Sequence, residues 1–482
     1  MRAPGEILLI SCYELGHQPL GIAGPLGFLE QAGYVPTAVD VSIQPLEAGV
    51  CSRARFVGIS VPMHTALRIG AKVARRIREV NPSCHICFFG LYSSLNADYL
   101  LGDLADSVVG GEYELPLKQL IRSLEDGRSQ PIAGVRRRGG AEPPLLDHIP
   151  FVPPGRASLA PLDRYAQFEA DGQRKMVGYV EASRGCRHLC RHCPIPPVYR
   201  GRFFLVPQET VLEDIRGLVR LGAGHVTFGD PDFFNGPNHA LRVVKAMRME
   251  FPRITFDFTA KVEHLLRHRN LLPQFADLGC AFIVSAVESL NDTVLERLAK
   301  NHTRADVFEL LRVARGCGIP LRPSLVTFTP WSDLKDVIEL FHVAEAEGLI
   351  DHIDPVQYTI RLLIPPGSLL LGEPLRAPHL GQLVEESFSY QWAHPDPRMD
   401  ALQRLFSEEV ERATAAQEDA GTVFFQLREL AMAMAEGRPP ERVVRSLQAG
   451  RPRPPRLTEP WFCCAEPTEN QLEFLADGEK AI

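Results

Sequence analysis

The sequence predicts an α/β protein with two domains in series, an N-terminal doubly wound sheet and a partial (β/α)6 barrel, followed by a mainly helical C-terminal region. Strand-like and helix-like runs alternate over the first quarter of the chain and again over its middle, the pattern of parallel sheets covered by helices. A stretch rich in proline, glycine and arginine separates the two blocks. At 482 residues the chain also exceeds the size at which one hydrophobic core stops growing.

Taken in order, residues 1–127 carry strand signals at 7–10, 37–41, 56–60 and 85–89, with a last short one over 106–109. Apolar residues at helical spacing fill 21–31 and 65–80 between them. The ligand crevice of such a sheet lies at the carboxyl ends of its strands. Residues 128–172 lose periodicity and read as a long crossing linker. In 173–375, strands are expected at 177–181, 225–228, 255–259, 282–287, 321–328 and 356–363, and helices at 208–221, 239–251, 292–300, 304–317 and 334–347. Six such units make an incomplete barrel, whose active groups sit at the C-terminal strand ends. Over 376–482 the strand signals fade. Residues 379–436 read as helical, and a proline-rich segment at 451–460 leads to Trp461-Phe462-Cys463-Cys464-Ala465-Glu466-Pro467.

With 59 acidic against 52 basic residues, the net charge of -7 offers no electrostatic reason for a nucleic-acid or membrane-surface partner. No stretch approaches the roughly 20 apolar residues that span a bilayer. Residues 7–10 are too short for a signal-peptide core and follow Glu6 directly. Eleven cysteines without an export signal point to metal or catalytic use in a reducing cytoplasm, not to a disulfide framework.

The densest chemistry is Ser183-Arg184-Gly185-Cys186-Arg187-His188-Leu189-Cys190-Arg191-His192-Cys193, directly after the first expected barrel strand. A cubane iron-sulfur cluster takes four ligands, so three cysteines leave one iron open to a substrate or cofactor. A zinc ion completed by His188 or His192 is the alternative, and with it a binding or redox module without radical chemistry.

Cys-x3-Cys-x2-Cys in this place resembles the signature of radical S-adenosylmethionine (SAM) enzymes. The resemblance implies a [4Fe-4S] cluster on Cys186, Cys190 and Cys193, with SAM held at the open iron and cleaved by one electron to a 5'-deoxyadenosyl radical. It further implies a small-molecule substrate and an external one-electron reductant such as flavodoxin or ferredoxin. Where the family usually places an aromatic residue before the third cysteine, this chain has His192. Residues 225–234, HVTFGDPDFF, resemble the second barrel strand, which makes Asp230 the expected contact of the methionine amino group, with Asp232 behind it. An aspartate that only caps a turn is the other reading. Ala286-Val287-Glu288-Ser289 is similar to the fourth-strand motif, implying that Glu288 and Ser289 lie near the cofactor ribose and carboxylate. Ser289, Asn291 and Asp292 also suit a helix amino terminus. Residues 358–368 resemble the sixth strand and its turn, with Arg361 either an anion or carboxylate clamp inside the barrel or a side chain pointing to water.

Residues 1 to about 125 resemble the cobalamin-binding Rossmann-like domain that precedes the barrel in one radical SAM class. The matching residues are 25–33, Val57-Gly58-Ile59-Ser60 and Val108-Val109-Gly110-Gly111-Glu112. The resemblance implies cobalamin across the carboxyl edge of the sheet, facing the barrel. The Asp-x-His-x-x-Gly motif that supplies an axial histidine is absent, so binding without a histidine on cobalt is expected. Tyr92, in Gly90-Leu91-Tyr92-Ser93-Ser94, is expected to crowd that edge. Finally, residues 461–467 look like the tail of the CUAEP/CCAEP-tail radical SAM proteins. Adjacent α-carbons lie about 3.8 Å apart, below the usual disulfide range, so Cys463 and Cys464 are expected as free thiols that present a soft inorganic substrate or quench a substrate radical. Two buried cysteines acting as small hydrophobes are the alternative.

Overall fold

A computed structural model describes residues 1–459 except 129, 373–379, 444, 446 and 449. Strands β1 (Ile7–Ser11), β2 (Thr37–Asp40), β3 (Phe56–Ser60), β4 (His85–Phe89) and β5 (Ser107–Val109) form a parallel sheet in the order β2-β1-β3-β4-β5. All five residues of β1 are buried, because helices cover both faces of a doubly wound sheet. Ile22, Leu26 and Leu29 of helix Leu20–Gln31 pack with Leu117 and Ile121 of helix Glu114–Glu125 on one face. Leu67, Ile69 and Ala74 of helix His64–Val80 close the other face against Ile10, Val57 and Phe88. The strand order reverses between β1 and β3, which opens a crevice at their carboxyl ends.

The expected linker is partly structured. Residues Val135–Arg137 form β6, which adds antiparallel to β5, and Gln167–Ala170 form β7. Backbone pairing at a sheet edge needs no apolar periodicity, so composition does not reveal it. Within this segment the Arg156 side chain is buried, giving Asp214 two hydrogen bonds of 2.6 and 2.8 Å and donating to Gln18 at 2.8 Å and to the Tyr179 carbonyl at 2.7 Å. It thereby fastens the first domain to the barrel. Arg156→Ala leaves the Asp214 carboxylate buried without its cation, and a loss of about 3–5 kcal/mol is expected in denaturant unfolding.

The second sheet begins with β7 and β8 (Gln173–Val180), paired antiparallel. A small hairpin, β9 (Ser183–Gly185) and β10 (Phe203–Leu205), leaves the end of β8. Strands β11 (His225–Phe228), β12 (Thr255–Ala260), β13 (Cys280–Glu288) and β14 (Leu321–Leu325) then extend the sheet in parallel, in the order β14-β13-β12-β11-β8. The expected sixth strand is not one. Residues Pro355–Thr359 form a 3-10 helix, and a single bridge, Phe328 to Arg361, stands where a ladder was expected. Pro355 opens that helical turn, a position where its fixed φ fits and its missing N–H is not needed.

After the barrel, β15 (Leu380–Val384) and β16 (Ser389–Trp392) form an unanticipated antiparallel pair. Helices Pro397–Ala415 and Ala420–Glu436 follow, and their Phe406 and Phe424 rings meet Phe341 of the barrel at 5.9 and 5.2 Å between centroids. The last described strand, β17 (Arg456–Leu457), returns to pair with β7. Among the described residues no helix is long and apolar enough to cross a membrane.

Candidate active site

The three cysteines lie on a loop that the carboxyl ends of several strands hold in place. Just past β11, Asp230 accepts the Ala182 amide at 2.9 Å and the Ser183 hydroxyl at 2.6 Å, fixing the chain as it leaves β8. Burial pushes this carboxyl up to about 7, against the two donors that lower it. Asn235 accepts the Arg187 amide at 3.2 Å and donates to the Gly185 carbonyl at 3.1 Å. Gly185 has a φ of +74°, and an added Cβ would stand 2.5 Å from the Arg202 carbonyl oxygen, so the turn into Cys186 requires glycine. Farther along, the Arg191 amide donates to the Leu298 carbonyl at 2.9 Å and the Ser368 hydroxyl to the Arg191 carbonyl at 3.3 Å.

Cys186 and Cys190 are buried and Cys193 is half-buried. Burial pushes the Cys186 thiol up to about 12, so its thiolate form calls for a bound cation. The arrangement does not suit a lone zinc ion. Sulfurs on tetrahedral zinc sit about 3.8 Å apart, given Zn–S bonds of about 2.3 Å. Among the described residues, the three-ligand grouping within 4.8 Å is His188, Asp232 and His264, without a cysteine. Both ring nitrogens of His188 are engaged, by Asp232 at 3.3 Å and Lys261 at 3.3 Å. The three thiols are not all gathered at that spacing, which departs from a single zinc ion and leaves room for the larger cubane cluster that the sequence reading favoured.

His192, between the second and third cysteines, reaches Glu288 at 3.4 Å. Lys300 donates to the same carboxylate oxygen at 2.9 Å. Burial opposes ionisation of Glu288, but Lys300 and then His192 outweigh it and hold the carboxyl at about 2. Glu288 ends β13 with a φ of +64°, a left-handed conformation that a residue with a Cβ adopts only under constraint. The neighbouring Ser289 hydroxyl accepts the Asn291 amide at 3.1 Å, and Asn291 caps helix Asp292–Arg297. The capping reading therefore describes Ser289 and Asn291, whereas Glu288 joins the cluster loop to Lys300. Lys261, His264 and His302 are also buried at this mouth and were not singled out in the sequence. For Lys261 and His264 the available signal was their position just after the end of β12; His302 lies beyond helix Asp292–Arg297 and carried no such signal.

Arg361 is engaged elsewhere. Its guanidinium donates to Asp400 at 2.6 Å and to the Trp392 carbonyl, and lies 3.5 Å from the Trp392 ring centroid. Strand β16, absent from the expectation, and the expected helix after it hold the side chain there. Cys463 and Cys464 fall outside the described residues.

The first sheet meets the barrel at this same loop. Arg184 is ion-paired with Glu112 and Glu114 at the end of β5 and with Glu181 after β8. Tyr199 donates to Glu112 at 3.0 Å, and His17 stacks on Tyr179 with 4.2 Å between ring centroids. Along the carboxyl edge the hydroxyls of Ser11 and Ser94 and both ring nitrogens of His64 are buried without a hydrogen-bond partner. A Cβ at Gly110 would stand 1.8 Å from the Ser94 hydroxyl. Tyr92 is buried there beside His64, at 5.9 Å between centroids.

Residues 180–341 match the model of the Radical SAM superfamily. This segment is a radical SAM domain. The hopanoid C-3 methylase of Methylococcus capsulatus is 24% identical over 265 residues, covering 54% of this chain and 50% of that protein. The chain thus spans about half the length of that curated relative. Two solved structures share the fold over most of the chain. The Kitasatospora setae radical SAM methyltransferase TsrM, with cobalamin and a [4Fe-4S] cluster bound, matches with a TM-score of 0.56 and 17% identity, covering 72% of this chain and 71% of that one. The cobalamin-dependent SAM radical enzyme OxsB, with aqua-cobalamin bound, matches with a TM-score of 0.65 and 14% identity, covering 88% and 72%.

Proposed function

We propose that the chain is a radical SAM enzyme that holds a [4Fe-4S] cluster on Cys186, Cys190 and Cys193, binds cobalamin on its first domain, and transfers a methyl or other SAM-derived group to a small molecule. The observation that carries this reading is the Arg184 cluster. It ties the residue next to the Gly185-Cys186 turn to Glu112 and Glu114, so the cysteine loop and the carboxyl edge of the first sheet face one another. The residues also suit the two groups. Three braced thiols match the cluster's donor needs, and the unpartnered Ser11, Ser94 and His64 atoms match an amide-rimmed macrocycle. The bound groups supply one-electron reduction of SAM and a relay for a methyl group. In this reading Asp230 and Asn235 hold the loop geometry, Glu288 and Lys300 orient His192 beside the cofactor, and Ser289 stands at the adjoining helix start. An external one-electron reductant such as flavodoxin or ferredoxin completes the system.

We extend the proposal to the tail on sequence grounds. Cys463 and Cys464 act as the soft thiol pair of a CUAEP/CCAEP-tail protein, presenting the substrate or quenching its radical. The Cys463→Ser, Cys464→Ser double variant is expected to keep its cluster and uncoupled SAM cleavage yet lose product.

Anaerobic reconstitution with SAM and dithionite, followed by mass spectrometry of nucleosides, tests the function. Reductant-dependent release of a SAM-derived nucleoside is expected, with S-adenosylhomocysteine marking methyl transfer. Its complete absence from protein with full iron content would reduce the chain to a redox or binding module. Corrinoid retained after gel filtration from hydroxocobalamin, without histidine ligation in its spectrum, is the expected result for the first domain. If none is retained and turnover is unchanged, cobalamin has no part in the reaction.

A further inference from the structure

One group of side chains beside the cysteine loop has no part in the roles above. Asp232, after β11, is fully buried, as is His264 on the short helix Val262–Arg267 that follows β12. His188 joins them from the middle of the Cys186 to Cys190 spacing. The Asp232 Oδ2 atom lies 3.3 Å from His188 Nε2 and 3.0 Å from His264 Nδ1, and the two nitrogens lie 3.3 Å from each other. Three ligand atoms therefore converge on one point from three different elements.

Hydrogen bonding alone explains this triangle poorly. If both rings donate to the one oxygen, two N–H groups are forced together at a nitrogen separation of 3.3 Å. If either ring turns its lone pair inward, that lone pair faces a carboxylate. His264 Nε2 is meanwhile buried without a hydrogen-bond partner, an arrangement that destabilises a fold unless something compensates it. A divalent ion resolves the conflict. Zinc bound to nitrogen and oxygen at about 2.0–2.1 Å in tetrahedral geometry sets its ligands about 3.3 Å apart, close to the spacing found here.

We propose that His188, Asp232 and His264 form a second metal site, a two-histidine, one-carboxylate zinc site separate from the cysteine loop's cluster. Ligation through His188 Nε2 leaves the proton on Nδ1, and Glu263 Oε2, 3.8 Å away, is the carboxylate that receives it. Lys261, 3.3 Å from Nδ1, would then turn to Glu263, which it already approaches at 3.5 Å. The ion would pin the middle of the cysteine loop to the ends of β11 and β12, with its fourth position open to water or a ligand.

Full-length protein, grown with added zinc and purified anaerobically, is measured by metal analysis and zinc-edge X-ray absorption. About one zinc per chain is expected beside the cluster iron, with nitrogen and oxygen at about 2.0–2.1 Å and no sulfur shell. In His264→Ala and Asp232→Asn, zinc is expected to drop at least about tenfold while iron stays constant. A sulfur shell near about 2.3 Å would place the zinc on the cysteines and overturn the proposal. Absence of zinc from supplemented protein would do the same, as would undiminished zinc in variants that keep their iron. Because His264 is fully buried, the absorption edge of the unaltered protein decides alone if a variant does not fold.

Discussion

Replacing any one of Cys186, Cys190 or Cys193 with alanine is expected to abolish SAM cleavage while leaving the fold intact. The loop gains its shape from groups other than the thiols. Asp230, Asn235 and Gly185 fix its start, and the Leu298 carbonyl and Ser368 hydroxyl fix its far side. Losing one sulfur therefore removes a cluster ligand without removing a structural contact of comparable weight. Circular dichroism and thermal unfolding of the cluster-free forms should match the cluster-free parent, while iron content and nucleoside release collapse. An alanine variant with full iron and parental cleavage would refute the cluster assignment.

Glu288→Gln is expected to produce the next largest effect. The substitution keeps the size of the side chain but removes the charge that pairs buried Lys300 and draws in His192. Breaking a buried ion pair by neutralising one partner costs about 3–5 kcal/mol, and displacement of His192 within the loop should slow SAM cleavage by about 100-fold. The left-handed backbone adds a second signature. Glu288→Gly loses the pair but relieves the φ of +64°, so it should be more stable than Glu288→Ala by about 1 kcal/mol. The pH dependence follows from the depressed carboxyl. The folded value of about 2 lies below the ordinary 4.5, so the unfolded chain binds the proton first as pH falls. The stabilisation is fully present above the ordinary value and is lost as pH drops from about 4.5 toward about 2. Denaturant titrations should show a steeper acid loss for the parent than for Glu288→Gln; equal slopes would contradict the ion-pair role.

The doubly wound sheet and the parallel strands through β14 were legible because strands buried on both faces read as short apolar runs between amphipathic helices. Elements held by backbone pairing at an edge were not. Val135–Arg137 carries two arginines and Leu380–Val384 is largely exposed, so neither shows strand periodicity. The sixth strand was misread for the opposite reason, since Val356, Tyr358, Ile360 and Leu362 alternate with polar residues as a strand would, although the first half forms a 3-10 helix. At the site, the cysteine spacing was readable from the chain alone. The partners of His192 and Arg361 were not, because Lys300 and Asp400 reach them through tertiary packing that no local pattern records.

Electron paramagnetic resonance of the dithionite-reduced, reconstituted protein with and without SAM addresses the open iron most directly. A cluster held by three thiolates predicts that SAM changes the g-values and line shape of the reduced signal as it takes the vacant iron. A reduced-cluster signal that SAM leaves unchanged at saturating concentration would mean that the fourth iron is already ligated by the protein, contradicting radical SAM chemistry at Cys186, Cys190 and Cys193.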